Sequence, residues 1–424
     1  MQTYNESFYD IISEGIGSLN NLQGFVDNVM AEKFNKLQID GFRLEPMQAD
    51  FDYAQIQKTM RINPMAIYSD LDSPVIPFGT TGFEVYGGKI PRMKTRRTMN
   101  EADVRKQRAT AAQIGGSAAA DAAREALFET LDTQIGAHTN SLTYQRNQMI
   151  SKGMLSLTKD NNPYGISGVD FYSNVSNSNI NKLAGSKRWW TDADRTTEGA
   201  DATPIEDLQA MVDTMIRKRG IRDSYFEIEF NTARDLVKHS KVVQAIAVNQ
   251  YPLADAGQAS YAASLLTWQN KLRILGEIVG AEFSVIDHLV SVETFDEASR
   301  SLVDKDFDAF EPNVLVLLPR GELGTVKTVV PYTMPLYMGA YANFYDGRLL
   351  ITTDFDIQKK IQYIETEMTS LCVPNRPQLM YYIDVTGTAN VKGFDDVQGA
   401  GRMMGVSGMS APVEGGSATK TAKK

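Results

Sequence analysis

Apolar positions recur at spacings of three, four and seven between Ser117 and Lys152. Ala120, Ala123, Leu127, Leu131, Ile135, Leu142 and Met149 fall on one helical face. The stretch has no proline, Ser117 can cap its start, and Asp121 and Glu125 lie near the positive end of the helix dipole. Lys152 and Gly153 supply the stop. A single helix over this stretch would be ~54 Å long at ~1.5 Å per residue. The stripe is narrow, and His138 and Gln145 interrupt it, so the sustained heptads of a coiled coil are missing. Two readings remain. It is a long surface helix, or a strut spanning a flat subunit with sheet on one side and a neighbouring molecule near the other.

Upstream, Leu22, Phe25, Val26, Val29 and Phe34 give a moderately amphipathic helix over roughly Leu19 to Leu37, read as an arm that packs on its own chain or across a neighbour. Phe83 to Tyr86 alternates like a strand among Gly79, Gly82, Gly87 and Gly88, and Pro74, Pro77 and Pro91 point to an edge or protruding hairpin. Downstream, Thr203 and Pro204 open a helix that ends in Arg217, Lys218, Arg219 and Gly220. Tyr225 to Phe230 reads as a strand, Asn231 to Gln250 as a helix, and Ser260 to Leu275 as another with Gly276 just past its end. Ala281 to Leu289 and Asn313 to Leu318 read as buried strands. Alternation of strands and helices from 204 to 320 predicts a mixed α/β region. Arg348 to Asp354, Asp356 to Leu371 and Gln378 to Val385 return to strand patterning. From Gly387 the chain carries eight glycines and no tyrosine or tryptophan, which predicts a flexible tail outside any core.

Charge changes this picture in one place. The chain of 424 residues carries a net charge of −9, which argues against a dedicated nucleic-acid binder. Yet Lys89, Arg92, Lys94, Arg96, Arg97, Arg105, Lys106 and Arg108 crowd into one stretch against only Glu101 and Asp103. Their partner is DNA phosphate, the acidic surface of another copy, or solvent. No apolar run is long enough to span a membrane, the N-terminus lacks the pattern of a signal peptide, and the lone Cys372 excludes an intrachain disulfide. No catalytic motif is found, and the numerous carboxylates are unpaired by any motif, which leaves acid/base catalysis unsupported and not excluded. His138, His239 and His288 are scattered and read as structural. The run from Asp304 to Asp308 begins like a calcium loop, but Ala309 and Leu315 stand where a glycine and a glutamate are needed. No phosphate loop and no nucleophile elbow occurs. Neither enzyme, metal nor cofactor is expected.

The layout of arm, basic hairpin, long helix, α/β region, return strand and tail resembles the HK97-like coat-protein fold of tailed bacteriophages. Pro91, Arg92, Met93 and Lys94, followed by the stretch from Glu101 to Arg105 and then the long helix, are similar to the lambda-type (E-type) major head proteins. So are Gly168 to Phe171, Trp190 to Asp192 before the opening at Thr203, and Pro312 to Gly324. The resemblance implies an α+β fold divided into an N-terminal arm (1–59), an E-loop region (60–112), a P-domain with the spine helix (113–203) and an A-domain (204–349) that meets its copies at a capsomer axis. A P-domain return strand (350–370), a last A-domain strand (371–388) and a flexible tail (389–424) complete it. It implies a major capsid protein that assembles hexamers and pentamers of an icosahedral head around double-stranded DNA. Portal, scaffolding and decoration proteins would be partners, no membrane would be involved, and the chain would be made in the host bacterial cytoplasm and reside in the virion. The eight cations would be subunit contacts. An encapsulin-like compartment and a soluble α/β enzyme are the alternatives.

Overall fold

The computed structural model describes residues 37–58, 83–99, 117–252, 255–296, 301–331, 341–356, 361–389 and 391–393. The expected helix before Leu37, the prolines at 74 and 77, and the cations at 105, 106 and 108 lie outside these residues.

In chain order, β1 (Phe42–Leu44), β2 (Asp52–Lys58), β3 (Phe83–Lys89) and β4 (Arg92–Met99) precede the long helix α1 (Ser117–Ser151). After it come β5 (Met154–Leu157), β6 (Val169–Tyr172), β7 (Ile180–Lys182), α2 (Pro204–Arg219), β8 (Ser224–Glu229), α3 (Phe230–Leu236) and α4 (Ser240–Gln250). α5 (Ala256–Ser264), α6 (Trp268–Val279), β9 (Glu282–Ile286), β10 (Leu289–Asp296), β11 (Ser301–Asp308) and β12 (Val314–Pro319) follow. β13 (Gly324–Thr328), β14 (Tyr341–Phe344), β15 (Leu349–Asp356), β16 (Ile361–Pro374) and β17 (Tyr381–Asp384) close the series.

α1 covers the stretch that the apolar stripe predicts, ~52 Å at ~1.5 Å per residue. Leu131, Ile135, Leu142 and Met149 are buried, and His138 and Gln145 are buried with them. The two polar residues therefore belong to the packed face. His138 Nε2 lies 2.8 Å from Thr366 Oγ1. The Gln145 amide donates to the Ser370 carbonyl at 3.5 Å and accepts from the Cys372 N–H at 3.2 Å. β15 pairs with β16 only as far as Met368, so Gln145 takes up backbone groups of β16 beyond the end of that neighbour. The final turn is buried all round, including Arg146, Asn147, Gln148 and Ser151. Gly153 ends the helix with φ +71°, and a Cβ there would come within 2.8 Å of the Lys392 carbonyl.

Two sheets flank this helix. The first runs β1-β13-β16-β15-β14, with β4 also paired to β16. β15 and β4 bind the same stretch of β16, so they lie on its opposite edges. The second runs β7-β17-β12-β8-β9. Its central strand explains the continuous apolar run NVLVLL. Val314, Val316 and Leu318 enter one core with Leu131, Ile135, Leu142 and Ile150 of α1. Leu315 and Leu317 enter the other with residues of α2, α3, α4 and α6. Both faces of the strand are covered, so no polar alternation survives. Glu227 of β8 faces α1, where its carboxylate forms a two-pronged pair with the Arg146 guanidinium, one arm at 2.8 Å. Both side chains are buried, 2% and 4% exposed, and the Asp40 carbonyl accepts from Arg146 Nε at 3.2 Å. The polar stretch before α2 is anchored by Trp189, buried and donating Nε1–H to Asp207 Oδ2 at 2.8 Å.

Several expectations are corrected. Asn231 to Gln250 is two helices, because Glu229 caps α3 through Asn231 and Thr232 N–H, and His239, with non-helical backbone angles, caps α4 through Lys241 N–H. The expected helix from Ser260 to Leu275 is broken at Thr267, which caps α6, and Gly276 lies inside that helix. A Cβ at Gly276 would meet the Ala281 carbonyl at 3.0 Å. The segment Ala281 to Leu289 is not a buried strand: β9 lies at a sheet edge with half-exposed and exposed residues, and Leu289 begins a separate ribbon. That ribbon, β10 with β11, contains the acidic run once compared with a calcium loop. β3 pairs antiparallel with β2, a strand the sequence pattern did not signal. The chain also stays packed beyond Gly387. Buried Asp384 accepts from the N–H groups of Thr386, Gly387 and Ala389, Val391 is buried in the core of α1, and Lys392 N–H donates to the Lys152 carbonyl at 3.0 Å.

Candidate assembly interface

β4 alternates with the period of a strand. Met93 and Thr95 turn toward α1, where Gln145 Nε2 lies 3.4 Å from Met93 Sδ and Thr95 Oγ1 lies 2.5 Å from Thr366 Oγ1. Arg92, Lys94 and Arg96 occupy the opposite face. The antiparallel register sets Lys94 against Glu367 and Arg96 against Glu365. Lys94 Nζ lies 2.7 Å from Glu365 and 3.3 Å from Glu367. Arg96 Nε donates to Glu365 at 3.1 Å, Arg92 pairs with Glu367, and the Arg96 guanidinium lies 4.5 Å from the Tyr363 ring centroid. Burial pushes the Glu365 carboxyl up, but the bonds from Lys94 and Arg96 outweigh it and hold the group below its ordinary value. The two glutamates are only 13% exposed while the cations reach into water. Such a network stabilises more than isolated surface pairs do.

The cations predicted as one set thus divide. Arg92, Lys94 and Arg96 find carboxylates inside their own chain, a partner absent from the three that the charge pattern suggested. Arg97 stands opposite Ile364, is exposed, and has no charged partner among the described residues. Lys89 is exposed at the end of β3, opposite Asp52. Arg105, Lys106 and Arg108 lie outside the described residues. The acceptors Glu365 and Glu367 were missed, although their alternation with Thr366 in a strand-like segment was a readable sign that they share a face. β4 is hydrogen-bonded along one edge only among the described residues, and its cations discourage indiscriminate strand addition there.

Among the described residues no three His, Cys, Asp or Glu come together as a metal-binding group, and no helix is long and apolar enough to cross a membrane. The Cys372 thiol is fully buried and its pKa is pushed up to about 12 by that burial.

Residues 35–385 match the family model described as phage major capsid protein E. No curated protein matches the sequence. Solved structures with a similar trace include the mature capsid of bacteriophage PhiM1, at 12% identity and TM-score 0.44 over 81% of this chain and 86% of that one. Others are a phage-related protein of Bordetella bronchiseptica RB50, at 13% and 0.40 over 85% and 96%, and a prophage capsid protein of Escherichia coli CFT073, at 15% and 0.42 over 71% and 79%. These likenesses are too distant to carry a functional conclusion, whereas the sequence model takes in every element from β1 to β17. The chain belongs to the phage major capsid protein E family.

Proposed function

We propose that this coat protein tiles into hexamers and pentamers of an icosahedral head enclosing double-stranded DNA. The observation that carries the reading is the family match from residue 35 to 385, which spans both sheets and the long helix that joins them. In this reading the β2–β3 ribbon with the segment between its strands is the E-loop, α1 is the spine of a P-domain built with the β4-β16-β15 sheet, and the β7-β17-β12-β8-β9 sheet with α2 to α6 is the A-domain. Lys89, Arg97, Arg105, Lys106 and Arg108 meet a neighbouring copy. Packaged DNA meets the inner surface without sequence preference, and portal, scaffolding and decoration proteins are further partners. The chain is synthesised in the host cytoplasm and ends in the virion. Sedimentation and negative-stain imaging of the purified chain, alone and with candidate scaffold, test this. Closed shells of uniform size are expected, with nuclease-protected double-stranded DNA in phage particles. A discrete monomer or small oligomer under every condition would overturn the reading, and shells filled with protein cargo would replace it with a compartment.

A further inference from the structure

Residues 242–266, VVQAIAVNQYPLADAGQASYAASLL, contain a single charged residue, Asp255, in a chain that is 22% charged. The structure places most of them in α4 and α5. One side of the pair is packed: Val242, Ile246, Ala247, Ala259 and Ala263 are buried in the core of the second sheet. The other side is open, and its only charges are the exposed Lys241 and Asp255 at the starts of the two helices. Gln244 and Val248 share one face of α4, four residues apart, and Gln258, Tyr261 and Leu265 follow one face of α5 and its end. Val248, Tyr261 and Leu265 are 66%, 69% and 69% exposed.

Large apolar side chains at this exposure, set among uncharged Gln, Asn and Ser, have the composition of an interface core: depleted of charge and carrying an aromatic anchor. Elsewhere the surface bears the charges that make the chain net −9. Two copies brought together repel through that surplus, except where the facing surface is close to neutral, as here, where Lys241 and Asp255 offset each other. We propose that the outward face of α4 and α5 is a contact with a second copy of this chain, with Val248, Tyr261 and Leu265 as its anchors. The inference rests on the coat-protein reading and goes beyond it: the resemblance supplies a domain that meets its copies, while the exposed apolar residues on a near-neutral surface select the face and its chemistry.

The test uses the full chain in an assembly reaction in which the parent forms shells. If the parent never does, the coat-protein reading itself has failed. Tyr261→Glu and Leu265→Glu should leave the far-UV spectrum and melting of the subunit close to the parent, since both residues are exposed, and lower the assembled fraction about tenfold or more. Ala210→Glu, an exposed position on α2, adds the same charge and should assemble like the parent. Parental yield from the two face variants overturns the proposal, as does an equal loss from Ala210→Glu. A second measurement needs no added charge. In Tyr261→Cys the new thiol is the one accessible to a maleimide, because Cys372 is fully buried. It should react in free subunits and be protected in shells, and equal reactivity in both overturns the assignment.

Discussion

His138 occupies a position where the apolar stripe of α1 would otherwise place a leucine, and it is held there neutral. Burial brings its pKa down to about 4 from 6.5, against smaller opposing effects from the Thr366 bond and the Glu367 charge. The unfolded chain therefore binds this proton more readily, so the contribution to stability is intact above about pH 6.5 and is lost as pH falls toward 4. Between pH 7 and pH 5 the parent subunit should lose roughly 2 kcal/mol more than a His138→Gln variant in urea unfolding. Equal losses would place the proton elsewhere. The Arg146–Glu227 pair has a different logic. It was paid for in desolvation when the two sheets closed over α1, and it is compensated only while both partners are present. Glu227→Gln strands the guanidinium and should cost about 3–5 kcal/mol, measured by the same unfolding experiment. Replacing both partners with Met and Leu should recover much of that loss. A double variant no better than the single one would show that the pair also orders the Asp40 carbonyl and the Tyr225 hydroxyl, which donates to Glu227 Oε1 at 3.3 Å.

At the scale of elements, the legible parts were those whose pattern is local. α1 announces itself through alanines, a repeating stripe and a glycine stop within its own span, and β12 through an apolar run too short for a helix. What the sequence hid depends on distant partners. Gln145 looks like an interruption until the ends of β15 and β16 are known, because its acceptor lies 225 residues away. The β10–β11 ribbon was masked by acidic residues directly opposed across its strands, Glu293 against Asp304, which read as a failed metal loop. The segment after β17 misled by composition: glycines suggest a tail, yet Asp384 organises the turn and Val391 reaches the core. Full burial of a Val side chain contributes about 1.5–3 kcal/mol. Ending the chain after Thr388 should therefore lower the melting temperature measurably, while ending it after Gly393 should not. Equal melting of the two truncations would remove Val391 from the core. For the helix itself, Leu131→Ala should cost about 2–5 kcal/mol and drive the subunit toward aggregation. A variant as soluble and stable as the parent would mean that the stripe is misassigned.

At the scale of the whole molecule, the cations of β4 separate what holds one subunit from what joins two. Arg92, Lys94 and Arg96 are committed to Glu365 and Glu367, carboxylates set some 270 positions later in the chain, as with the 271 that separate Lys94 from Glu365. Removing all three leaves two nearly buried glutamates without the cations that pair with them, so the triple change to Ser should weaken the subunit itself and reduce assembly through misfolding. Arg97 is the informative contrast. It lies on the same strand but on the other face, exposed and without a charged partner among the described residues. An exposed side chain of this kind contributes within about 0.5 kcal/mol to folding, so Arg97→Ser should melt with the parent. If its partner belongs to another copy, the same variant should assemble poorly, and raising salt should depress parental assembly in the same direction because exposed pairs are screened within ~10 Å at ~0.1 M. Calorimetry of the subunit and sedimentation of the assembly mixture, run on the single and triple variants together, keep the two effects apart. Parental shells from Arg97→Ser would take that residue out of the contact, and a triple variant that melts normally but fails to assemble would return Arg92, Lys94 and Arg96 to it.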